Sequence, residues 1–126
     1  MALKKFNANE YKVKLKATIH SSGKLGFTDA TARVLGLDTS GGIVFATEDG
    51  EQNEKEKPLY LICCKVFEDG AFKVTKAGNY FSVNAKGLFD SLGYDYKKNT
   101  IIFDMIQAKE EGENVYKLVK REKPKK

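Results

Sequence analysis

From Tyr11 to Ile19 the chain alternates without a break, YKVKLKATI. A period of two puts Tyr11, Val13, Leu15, Ala17 and Ile19 on one face of a strand and Lys12, Lys14 and Lys16 on the other. Ser21, Ser22 and Gly23 interrupt the pattern and Lys24 to Phe27 resume it, which predicts a hairpin. Thr28 or Asp29 can cap a short helix over 30–35, and Gly36 supplies its left-handed stop. Gly41 and Gly42 lead into a strand over 43–47. Residues 49–58 (DGEQNEKEKP) hold no apolar side chain but Pro58, and read as an exposed loop. Beyond it a buried strand is predicted over 59–66, then strands over 72–76 and 80–83 separated by Gly-containing turns. Asn84 is placed to cap a second helix whose apolar stripe is Leu88, Phe89 and Leu92, with Gly93 ending it. Strands over 101–107 and 114–120 form a closing hairpin.

One grammar occurs twice in this string: a Gly, an apolar strand, a short capped helix ending in Leu-Gly-x-Asp, and an Ile-x-Phe strand. The copies run from Gly23 to Phe45 and from Gly78 to Phe103, with matching pieces 55 to 58 residues apart. Gly36 then corresponds to Gly93 and Phe45 to Phe103. The fold class expected is α+β, mostly antiparallel β with two short helices, arranged as two pseudo-symmetric β-β-α-β-β repeats on one core. At 126 residues the chain suits a single domain, 1–126, with repeats over about 9–66 and 67–120 and a basic flexible tail over 120–126. Beyond Val119 that tail has no apolar residue, so it is expected to remain mobile, and its removal to leave the melting temperature nearly unchanged.

The first copy, SGKLGFTDATARVLGLDTSGGIVFAT, resembles the AbrB-type swapped-hairpin pattern, and its tandem arrangement is similar to MraZ-type proteins. The resemblance implies a DNA-binding protein of the kind that regulates transcription. The chain departs from the pattern in having Thr28 where Pro is usual at the first helical position, and Ala32 where Arg is usual, with Arg33 one place later. Cut in a different frame, residues 43–89 read β-β-β-β-α, which is similar to Whirly and PUR-type units and implies binding to single strands. Both cuts predict the same local elements and differ only in strand pairing.

Charge sharpens the functional expectation. Net charge is +5, with six cations against Glu122 in the last ten residues and five cations against Glu10 in the first sixteen, so residues 17–116 are net acidic. Basic ends on an acidic body fit contact with a polyanion. Twenty lysines against two arginines argue against base-specific reading in the major groove, which is mainly arginine work, and for backbone binding of low sequence specificity. The candidate nucleic-acid-binding residues are Lys12, Lys14, Lys16, Lys24, Arg33, Lys73, Lys76, Tyr80, Tyr96, Lys97, Lys98, Lys120 and Arg121. Tyr94 and Tyr96 lead directly into Lys97 and Lys98, an arrangement compatible with stacking of unpaired bases.

Enzymatic chemistry is not expected. His20 is the only histidine and has no carboxylate at short spacing, and neither Cys63 nor Cys64 sits in a nucleophile motif. The adjacent cysteines point to opposite faces of a strand, and two sulfurs without a second pair make a poor metal site. No cofactor and no metal are expected. The partner expected is nucleic acid, DNA or RNA, with no membrane and with a homodimer compatible. The longest apolar run, Leu59 to Cys64, is too short to span a bilayer, and a cytoplasmic protein is expected. The rival reading is a non-enzymatic protein-interaction module, whose basic termini are solubilising and whose sheet edge or apolar groove recruits a protein.

Overall fold

The computed structural model describes residues 2–5, 15–47 and 58–125. Lys12, Lys14 and most of the acidic loop over 49–58 lie outside the described residues. The described elements are β1 (Leu15–Ile19), β2 (Lys24–Phe27), α1 (Asp29–Leu35), β3 (Gly42–Thr47), β4 (Leu59–Cys64), β5 (Phe72–Ala77), β6 (Tyr80–Asn84), α2 (Lys86–Ser91), β7 (Asn99–Gln107) and β8 (Val115–Pro124).

Among the described residues, eight strands close into an antiparallel barrel in the order β1-β2-β6-β5-β3-β4-β8-β7. This corrects the expected fold class. The molecule is a mostly-β closed barrel, not an α+β fold of two β-β-α-β-β repeats set on a common core. Its helices span only seven and six residues and link strands, so they form no layer of their own. The strands of the two halves interleave, since β2 pairs with β6, β4 with β8, β7 with β1 and β3 with β5. Local periodicity sets which residues face inward but says nothing about which strand is the neighbour, and closure is a property of the neighbours.

Exchanging β1–β4 for β5–β8 maps the order of neighbours onto itself, yet the registers differ. β1 and β7 share five pairs, from Leu15↔Met105 to Ile19↔Ile101, whereas β3 and β5 share two, Gly42↔Lys73 and Ile43↔Phe72. Phe103 therefore faces Ala17 across its ladder, while Phe45 lies beyond the pairing with β5. The matching of Phe45 to Phe103 is not kept by the register.

An eight-stranded barrel has an interior just wide enough for side chains to fill. Ile19, Leu25, Phe27, Ile43, Leu61, Val74, Val83, Ile101 and Phe103 fill it, each with almost no exposure. The helices contribute Leu35, Leu88 and Phe89 to the same core. Thr28 caps α1 by accepting from the Thr31 backbone N–H at 3.3 Å, and Gly36 ends it at φ +69°. Thr31 Oγ1 also accepts from the Lys16 backbone N–H at 3.3 Å, tying the helix to β1. In α2 the Asn84 side chain accepts from the Lys86 N–H at 3.3 Å, Gly93 turns the chain at φ +75°, and Phe89 is fully buried.

The basic end is not a flexible tail. β8 runs to Pro124 and stays in register with β7 throughout, from Gln107↔Tyr116 to Asn99↔Pro124. The ladder needs only backbone groups, so this strand forms without the apolar side chains whose absence suggested disorder. The side chains add polar ties: Arg121 pairs with Asp104 at 2.7 Å, Asn99 donates to Glu122, and Lys125 Nζ donates to the Tyr96 carbonyl at 3.0 Å. Among the described residues, no helix is long and apolar enough to cross a membrane.

Candidate nucleic-acid interface

Inward positions of β8 are Tyr116 and Leu118, both buried in the core. Alternation then turns Lys117, Val119, Arg121 and Lys123 to the outer surface, and all four are exposed. Residues two apart on one face are separated by about 6.5 to 7 Å, so Arg121 and Lys123 present neighbouring cations and Lys117 lies further along the same row. The pairing of β7 with β8 brings in the turn before β7. The Lys125 backbone N–H donates to the Lys98 carbonyl at 3.0 Å, so exposed Lys97 and Lys98 sit beside the end of β8. Lys97, Lys98, Lys123 and Lys125 thus collect at one place from segments more than twenty residues apart in the chain.

Of the residues chosen from sequence, Lys97, Lys98, Lys120 and Arg121 are brought together here. Lys120 belongs to the inward series of β8 by parity, but it is exposed and its Nζ lies over the Tyr94 ring, 4.6 Å from its centroid. It also reaches Glu122 at 3.5 Å. Lys16 is exposed on β1 and is in register with Asp104, the carboxylate that pairs with Arg121, so it joins the flank of the same surface.

The others lie elsewhere. Lys24 and Lys73 are exposed on β2 and β5. Lys76 sits 5.3 Å from the Phe81 ring centroid. Arg33 is paired with Asp29 one helical turn earlier, and its hydrogen bond holds the Asp29 carboxyl below the usual range. Tyr80 is half-buried with its hydroxyl 2.6 Å from His20 Nε2, across the space that Gly26 leaves on β2. Burial raises the Tyr80 pKa above the ordinary tyrosine value. Tyr96 corrects an expectation outright. It is 2% exposed, and its hydroxyl donates to Asp90 at 2.6 Å, so its ring offers no stacking surface. Lys86 and then Tyr96 hold Asp90 below the usual carboxylate range. Sequence reasoning left out Lys123 and Lys125 because it read their segment as a tail, and left out Lys117 although it lay in the predicted strand over 114–120. The signal that finds Lys117 and Lys123 is their parity with Arg121 once β8 is recognised as a strand.

Two further features bear on chemistry. Cys63 and Cys64 are free thiols, and burial followed by the neighbouring Cys64 pushes Cys63 up to about 12. Cys64 donates to Glu68 at 3.2 Å. An open groove of about 890 Å³ is lined by Val34, Leu35, Leu37, Cys63 and Tyr116, with Lys65 and Lys109 also on its wall. Among the described residues, no group of three or more His, Cys, Asp or Glu side chains is placed to hold a metal ion. Compared with known proteins, the chain matches no family model, no curated protein and no solved structure.

Proposed function

We propose that this barrel binds nucleic acid through the sugar-phosphate backbone, with low sequence specificity, using the outer row of β8 and the turn at Lys97 and Lys98. The observation that carries the reading is the pairing of β8 as far as Pro124. It fixes cations that would otherwise be spread over a tether, and joins them to the turn through the Lys125 to Lys98 bond. Lysine-rich contact to phosphates releases counterions and supplies affinity without choosing a sequence. The resemblance of Gly23 to Phe45 to DNA-binding swapped-hairpin proteins points the same way.

The test is fluorescence anisotropy of a short labelled oligonucleotide over a salt series, comparing the wild type with Lys117→Gln/Lys123→Gln. Binding should weaken with salt, and the double variant should flatten the log-log slope by about 0.7 to 0.9 for each phosphate it no longer neutralises. Lys24→Gln/Lys73→Gln, on other strands, should leave the slope unchanged. Absence of binding at low salt, or equal slopes for the wild type and the β8 variant, would overturn the reading.

A further inference from the structure

Each aromatic ring near the basic end is already in contact, and the kind of contact differs. Tyr96 is buried. Tyr94 is half-buried at the surface, with one side stacked against Phe89, ring centroids 5.8 Å apart and planes inclined by 25°. Against Tyr94 also lies Lys120 Nζ, 4.6 Å from the ring centroid. The Tyr94 ring therefore has fixed aromatic neighbours in Phe89 and in Phe103, whose centroid is 6.1 Å away with planes inclined by 53°, and a movable cation over it. The ammonium is on a long flexible stem, with 38% of its side chain exposed, and its other partner, Glu122, is 3.5 Å away. Tyr94 also lines a shallow hollow of about 360 Å³ together with Lys86, Asp90, Asp95 and Lys97.

We propose that Tyr94 is a stacking site for one unpaired nucleobase and that Lys120 is its displaceable cover, so that the nucleic acid bound here is single-stranded. This rests on the proposed binding function and names the substrate class for the same surface. A cation over a half-buried surface ring is typically a weaker association than a base stacked on that ring. A phosphate arriving at the basic end gives the Lys120 ammonium a second place to go, so its displacement conserves a charge interaction while freeing the ring face. Phe89 holds the tyrosine in orientation, so no side-chain ordering is needed when the base arrives. A duplex keeps its bases within the stack and cannot reach the ring without unpairing.

The experiment compares a labelled single strand, the duplex of the same sequence, and a strand of equal charge made of abasic sugar-phosphate units, each with the wild type, Tyr94→Phe and Tyr94→Leu at matched salt. The wild type and Tyr94→Phe should prefer the single strand. Tyr94→Leu should lose about 5- to 150-fold in affinity for it, the range for one stacked base, while its duplex affinity changes less than about 2-fold. The wild type should bind the abasic strand as weakly as Tyr94→Leu binds the normal one, an arm that remains decisive if Tyr94→Leu folds poorly. Duplex bound as tightly as single strand, or abasic strand bound as tightly as normal strand, would overturn the stacking site while leaving backbone binding intact. Failure of all three to bind the wild type would instead remove the binding function on which this inference rests.

Discussion

Truncation after Val119 separates a paired strand from a mobile tail. It deletes five cross-strand pairs, Phe103↔Lys120 through Asn99↔Pro124. With them go the Arg121 to Asp104 ion pair, the Asn99 to Glu122 bond and both Lys125 bonds to the turn at Tyr96 and Lys98. Cross-strand pairs contribute roughly 0.2–1 kcal/mol each, so five amount to about 3 kcal/mol. The exposed ion pair adds little, because solvent screens it. The truncation also uncovers one side of the β7 backbone beside Ile101 and Phe103, whose side chains are 0% and 1% exposed. For a domain of this size, about 3 kcal/mol corresponds to a fall in Tm on the order of 10 °C. Calorimetry of the full chain and the truncated chain, with urea unfolding as a second measure, reads it directly. A shift under about 2 °C would mean that β8 beyond Val119 contributes no pairing energy, and the fixed row of cations would lose its basis.

Two glycines make opposite predictions. A Cβ at Gly41 would stand 2.4 Å from the Cys64 carbonyl oxygen, a backbone atom that cannot swing aside, so Gly41→Ala should destabilise by roughly 1–3 kcal/mol in urea unfolding. Gly87 in α2 has nothing within 4 Å of the same position, so Gly87→Ala should stabilise by up to about 1 kcal/mol through helix propensity. The thiols should differ in rate, with Cys64 labelled by a thiol reagent faster than Cys63 in the folded protein, because both are half-buried but burial raises the Cys63 pKa further. Because the folded Cys63 pKa lies above the ordinary 9.0, at about 12, its contribution is present below pH 9.0 and is lost as pH rises toward 12. Cys63→Ala should make the stability profile flatter across that alkaline window, as read by denaturant midpoints.

How far the sequence could be read depends on whether the signal is local. The bounds of α1 were legible because Thr28 and Gly36 act on their immediate neighbours. The inward faces of the strands were legible from alternation, as Leu25 and Phe27 show. Closure was not, because the pairing of β2 with β6 or β4 with β8 joins segments more than fifty residues apart and leaves no trace in a period of two. The end of β8 was hidden for another reason: its partners are backbone groups and polar side chains of β7 and the turn before it, so hydrophobicity is silent there. At the candidate site, Lys97, Lys98, Lys120 and Arg121 could be chosen on charge, but their assembly with Lys123 and Lys125 needed the register. Of the two tyrosines before Lys97, Tyr96 is buried and supplies core volume while Tyr94 stays half-buried at the surface under Lys120, a difference set by packing that the sequence of a turn does not carry.

Nucleic acid held at the basic end of β8 would perturb the backbone amides there, so the decisive experiment is amide chemical-shift mapping during titration with a short single-stranded oligonucleotide. Saturable shifts should concentrate on the turn over 94–98 and on β8 over 117–125, diminishing as salt is raised. Shifts confined to the groove at Val34, Leu37, Cys63 and Lys65, or no shifts at low salt, would contradict binding at this surface.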